Sequence, residues 1–137
     1  MSYTNADWLL IDEQIKALID SGEDISAYLV ASDRDIAIIC AYNQVSPADI
    51  PVDEDGYVAS PVLIEYAIAS SCVKILRGYW GSRAGEQDIY FDKLKYWMAE
   101  QERTKGLVTK DTIGGITDSN GEPLPQDSYI TVVPMFV

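Results

Sequence analysis

Residues 60–106, SPVLIEYAIASSCVKILRGYWGSRAGEQDIYFDKLKYWMAEQERTKG, decide the fold. They read as two long helices joined by a tight, glycine-flanked turn. Ser60-Pro61 has the chemistry of a helix start: a Ser hydroxyl can cap orphan amides, and Pro at the first helical position loses no hydrogen bond. Glu65 adds a favourable charge nearby. Ile64, Ile68, Cys72, Ile75, Tyr79 and Trp80 then recur at helical spacing and build one apolar stripe. Ala67, Ala69, Ser70 and Ser71 make the middle of this helix thin, so neighbours can approach on more than one side, and it is expected to be central. Gly78, Gly81 and Gly85, around Ser82-Arg83-Ala84, are expected to end it because glycine enters left-handed backbone conformations without steric cost. The second helix is expected from about Glu86 to Thr104, with Tyr90, Leu94, Trp97 and Met98 on one face and Asp92, Lys93, Glu100 and Arg103 on the other. Acids open it and bases close it, as the helix dipole prefers, and Gly106 is its expected stop.

Towards the amino terminus, the spacing predicts a helix over Asp7 to Asp20, capped by Asn5 or Asp7. Trp8, Ile11, Ile15, Leu18 and Ile19 would face inward, with Asp12, Glu13 and Lys16 outward. Ser21-Gly22 stops it. From about Asp24, Ile25, Tyr28 and Leu29 form one turn-spaced set and Ile36, Ile39, Cys40 and Asn43 a second. Ser32-Asp33 between them resembles a cap, which predicts two short helices or one kinked helix. The alternation in Asp35-Ile36-Ala37-Ile38-Ile39 also suits a strand. From Gln44 to Ala59, Pro47, Pro51 and the run Asp53-Glu54-Asp55-Gly56 break the pattern and predict a surface loop, long enough to favour a contact role.

After Gly106 the composition changes again. Gly114-Gly115 leads to Asp118-Ser119-Asn120-Gly121, and Asn-Gly favours a tight hairpin turn. Pro123 and Pro125 limit any return strand to an edge. Tyr129 to Val137 are rich in β-branched and aromatic residues and carry no charge. An exposed strand of this kind has to be covered, either by its own chain or by augmenting another subunit. The expected fold is therefore mainly α: a bundle of four to five helices over residues 1–112, with a C-terminal extended β arm or hairpin over 113–137.

At 137 residues the chain has the size of one domain. A hydrophobic fraction of 47% excludes wholesale disorder. No apolar run reaches membrane-spanning length, and the amino terminus lacks the basic-then-apolar pattern of a signal, so a soluble, unexported chain is expected, with no membrane partner. Cys40 and Cys72 fall on apolar faces and read as buried free thiols. There is no histidine, which removes the commonest general base and transition-metal ligand. Asp53, Asp55 and Gly56 imitate part of a calcium loop, but Pro51 and Val62 fall where its first and twelfth positions would be. Asp118, Asn120 and Gly121 fail in the same way. No metal, cofactor or catalytic set is expected.

The net charge of -12 is uneven. Residues 1–60 carry twelve acids against Lys16 and Arg34, whereas residues 61–137 carry ten acids against eight bases. So acidic a surface repels phosphates, which sets sequence-specific DNA binding aside. The basic residues of the helical pair, Arg77 and Arg83 among them, are either solvated or form a docking face for the acidic half of an adjacent copy. A chain with one acidic end and one basic stretch can satisfy itself head to tail.

Taken together, the Ser60-Pro61 start with Leu63, Ala67, Ala69 and Arg77, then Tyr90, Leu94 and Trp97 with Gly106 near the end of the second helix, resemble the head-to-tail connector, or adaptor, proteins of tailed bacteriophages. Acidic helices before the pair and an extended arm after it complete the layout. The aspartate-rich loop at 49–56 matches no feature of that family. The resemblance implies a helical bundle that assembles into a ring, typically dodecameric, in the neck of the virion. Assembly would occur in the host cytoplasm. Such a ring docks on the portal protein, extends the channel through which DNA passes without specific binding, and offers a platform for the next neck or tail protein. It further implies that the terminal arm grips the portal or a ring neighbour, and this role falls on Tyr129, Ile130, Val132, Val133, Met135, Phe136 and Val137. Acidic helices facing the channel would keep DNA from sticking.

Two other classes fit the residues. One is an acidic intracellular interaction module or DNA-mimic inhibitor, whose binding face would be residues 1–60. The other is a small enzyme using carboxylates alone, for which no nucleophile motif or metal-ligand spacing speaks.

Overall fold

A computed structural model describes residues 1–79 and 87–113. The turn residues Trp80 to Glu86, the hairpin expected at Asn120-Gly121 and the whole arm after Ile113 lie outside the described residues. The chain is mainly helical: α1 spans Glu13–Asp20, α2 Ser26–Tyr42, α3 Pro61–Tyr79, α4 Gln87–Lys105 and α5 Lys110–Ile113. Two short 3-10 turns, Ala6–Ile11 and Pro47–Asp49, precede α1 and follow α2.

The central helix is α3, where eleven of nineteen residues are buried, too many for a helix with one face on a core. α2 lies antiparallel along it: Tyr28 sits against Gly78, whereas Ile36 and Cys40 share a cluster with Leu63, Tyr66 and Ala67. α4 also runs back along α3, because Glu65 meets Arg103 at 3.6 Å while Arg77 meets Met98 at 3.8 Å. The thin stretch Ala67–Ser71 divides the interior in two. Below it, Ile36, Leu63, Tyr66, Val108 and Ile113 pack together; above it, Leu9, Ile15, Leu76, Leu94 and Trp97 do. Burying each such side chain is worth about 1.5–3 kcal/mol.

Several expectations change on folding. The helix expected from Asp7 is broken at Asp12, which has extended backbone (φ -98°, ψ 122°) and caps α1 through its own carboxylate. Ile11 and Asp12 consequently exchange the places expected of them, Ile11 being 70% exposed and Asp12 only 2%, while Ile15 and Leu18 are buried and Glu13 and Lys16 exposed as expected. A cap recruits Asp12 because the amides of Gln14 and Ile15 at the start of α1 need acceptors, 3.0 and 3.1 Å away.

α2 is one continuous helix, neither two nor a strand. Ser32 and Asp33 do not cap its middle. The Ser32 hydroxyl lies 3.5 Å from Ser70 Oγ across the α2–α3 contact, and Asp33 Oδ1 accepts from the Tyr3 amide (3.0 Å) and Thr4 Oγ1 (3.1 Å). Gln44, at φ 60°, ends the helix in the left-handed conformation, with the Val45 amide returning to the Cys40 carbonyl at 2.8 Å.

The stretch from Gln44 to Ala59 is a largely exposed loop, as expected, but it is anchored in the core at three points. Val45, Ile50 and Val58 are buried in the lower core, and Ser2 pairs in parallel with Tyr57. Most of its other residues are exposed, the acidic tip among them, where Asp53 Oδ1 folds the turn by accepting from the Asp55 and Tyr57 amides, both at 2.9 Å.

Pro61 opens α3 as expected, but the Ser60 hydroxyl is buried and caps nothing; Oγ has no hydrogen-bond partner. Gly78 does not terminate α3. It lies inside the helix, and a Cβ there would come within 2.7 Å of Tyr28 Cζ, so its lack of a side chain admits the Tyr28 ring. Met98, expected among the buried residues of α4, is 42% exposed. Gly106 does follow the last turn of α4, and Cys40 and Cys72 are buried free thiols.

Candidate functional site

The cations of the helical pair divide by partner. Lys74 lies 2.6 Å from Asp35 and donates to Ser70 Oγ at 3.1 Å. Lys93 faces Asp12 at 3.7 Å, and Arg103 bridges Glu100 at 2.7 Å and Glu65 at 3.6 Å. These charges tie helices to one another. Arg77 and Lys95 meet softer partners. Arg77 Nη2 is 3.8 Å from Met98 Sδ, and Lys95 Nζ stands 4.8 Å from the centre of the Phe91 ring.

Phe91, Lys95 and Met98 recur at i, i+4 and i+7, so they share one side of α4, and Arg77 reaches it from the last turn of α3. All four are exposed, Phe91 by 43% and Met98 by 42%. A ring and a thioether beside two cations form a surface suited to a partner that is both acidic and apolar. Sequence reading chose Arg77 and counted Lys95 among the basic residues of the pair, but did not join Phe91 and Met98 to them; the signal was their spacing along α4. Arg83, Tyr129, Ile130, Val132, Val133, Met135, Phe136 and Val137 lie outside the described residues.

At the other end of the bundle, the last turns of α2 and α4 leave an open groove of about 630 Å³. Ile38, Ile39 and Tyr42 form one wall, and Lys105, Gly106 and Val108 the other. Ile38 is 59% and Tyr42 86% exposed, large values for apolar side chains so close together.

The acidic half is less of a bare array than its charge suggests. Asp12, Asp33, Asp35 and Asp53 are each bonded within the chain. Asp24 accepts from the Ser26 amide at 3.0 Å, and the Ser26 side chain and amide together hold its carboxyl below the ordinary range. Partial burial and the Glu23 carboxylate, whose Oε2 accepts from Tyr79 Oη at 3.2 Å, hold the Tyr79 phenol above its ordinary range. Glu54 and Asp55 at the loop tip are exposed. Among the described residues no group of three or more His, Cys, Asp or Glu side chains is placed to hold a metal ion, and no helix is long and apolar enough to cross a membrane.

One cluster has the outline of a nucleophile and its base: Ser70 with Lys74. Ser70 is wholly buried between α2 and α3, beyond reach of a substrate, and the Lys74 Nζ is taken up by Asp35 and Ser70. Its work is to join the two helices. No protein-family model matches the chain, and no curated protein or solved structure is similar to it at a significant level.

Proposed function

We propose that the protein is a head-to-tail adaptor of a tailed bacteriophage: a structural subunit that docks on the portal as a ring and presents a platform for the next neck or tail protein. In this reading residues 113–137 form an extended arm that grips the portal or a ring neighbour. The observation that carries the proposal is the exposed side of the helical pair, where Arg77 and Lys95 flank Phe91 and Met98. A chain whose first 60 residues carry twelve acids supplies a matching surface on the next copy, and repeated head-to-tail contact closes a ring when the rotation permits.

Native mass measurement of the full chain, alone and with a portal ring, tests this. Closed oligomers or a stoichiometric portal complex are expected, and removing residues 129–137 should abolish portal contact while leaving the helical circular dichroism intact. A monomer that ignores the portal at every concentration tried overturns the reading. Competition with DNA for a basic protein would instead favour an acidic DNA mimic.

A further inference from the structure

The groove between the ends of α2 and α4 is open and close to where the described chain stops; Ile38, Ile39, Tyr42 and Val108 give it an apolar floor, and Asn43, Glu102 and Lys105 a polar rim. Val108 and Thr109 line it, and α5 begins at the next residue and ends at Ile113, which is buried in the core beneath. Twenty-four residues follow, and the last nine, Tyr129 to Val137, carry no charge. Their β-branched and aromatic side chains match walls made by Ile38, Ile39, Tyr42 and Val108. Gly106, without a side chain, leaves the α4 wall open to a close backbone.

We infer that this groove is the seat of the chain's own residues 129–137, in which the arm rests until a partner takes it. Length permits it: the fifteen residues from 114 to 128 span up to about 50 Å when extended, well beyond what a return to the groove requires. Tethering favours it, because a linker this short holds the segment at an effective concentration of about millimolar, which another copy reaches only in concentrated solution. Burial drives it: Ile38 and Tyr42 are largely exposed, and covering their apolar surface is favourable. The inference rests on the adaptor reading only in treating 129–137 as the gripping segment, and it adds that gripping competes with a seat in the same molecule.

The test uses the full chain in dilute solution, with a benzophenone amino acid in place of Tyr42, an exposed position, and an equal mixture of light and heavy isotope-labelled protein. Photolysis should join position 42 to residues 129–137 of the same isotope label. Links only between different labels would make the groove a seat for a second copy and overturn the inference, as would links elsewhere or none. Independently, Ile38→Asp should speed amide exchange in 129–137 by about tenfold or more without exposing the core amides of α3. Unchanged exchange overturns the seat. An arm that binds the portal yet never reaches position 42 refutes the seat and spares the adaptor reading.

Discussion

The indole N–H of Trp97 donates to Asp12 Oδ2 at 2.7 Å, joining α4 to the start of α1 across 85 residues of sequence inside the upper core. The other oxygen of the same carboxylate caps α1, and Lys93 stands 3.7 Å away to balance the charge. One buried side chain therefore ends a 3-10 turn, begins a helix and fixes a tryptophan.

Asp12→Ala removes the cap and strands a buried indole donor, so it should cost about 2–4 kcal/mol. Trp97→Phe should cost about 1–3 kcal/mol, and the two changes together less than their sum. Urea denaturation of both single variants and the double variant measures this; strict additivity would show that the bond contributes nothing.

Gly78→Ala places a methyl group against the Tyr28 ring, which is also tilted against Tyr79 with centroids 5.8 Å apart. The expected loss is about 1–3 kcal/mol, despite the better helix propensity of Ala. In a Tyr28→Ala background the same change should become neutral or stabilising. A loss that persists there would mean that Gly78 serves something other than ring clearance.

Burial pushes the thiols of both Cys40 and Cys72 above their ordinary range, with the Asp12 charge adding to the effect at Cys72. The unfolded chain releases these protons at ordinary thiol pKa values while the folded chain keeps them. Stability is then full below that range and falls as pH rises through it, by up to about 1.4 kcal/mol per pH unit per thiol. Denaturation midpoints measured from about pH 8 to 10 should decline, and Cys72→Ala should flatten the decline while lowering the plateau. A slope that Cys72→Ala leaves unchanged would count against a neutral buried thiol.

Arg77 is exposed on the last turn of α3, so Arg77→Glu should change stability by no more than about 0.5 kcal/mol. If α3 and α4 meet an acidic partner, the same change should weaken association, most strongly at low salt where charges are least screened. Sedimentation with the partner at two ionic strengths measures it. An effect independent of salt would assign Arg77 a packing role through Met98.

Where the signal was local, the sequence by itself determined the element. Pro61 at the first position of α3, Gly22 at φ 91° after α1 and Gly106 after α4 mark boundaries through their own backbone chemistry, so they were legible without a partner. That α3 is a long helix was equally plain, but of the stripe read on it Cys72 and Ile75 are buried, Ile64, Ile68 and Tyr79 only half-buried, and Trp80 lies outside the described residues.

Only the tertiary structure decided Asp12, Ser32, Gly78 and the stretch from Val45 to Val58. A carboxylate reads as surface until an indole and two amides converge on it, and a helical glycine reads as a stop until a ring from another helix occupies its missing side chain. The same holds for the candidate surfaces. Arg77 drew notice as a charge, but the stripe of Phe91, Lys95 and Met98 and the groove beside Tyr42 exist only because α3 packs between α2 and α4. Spacing along the chain sets which residues share a helix face; which faces stay uncovered depends on how the helices pack.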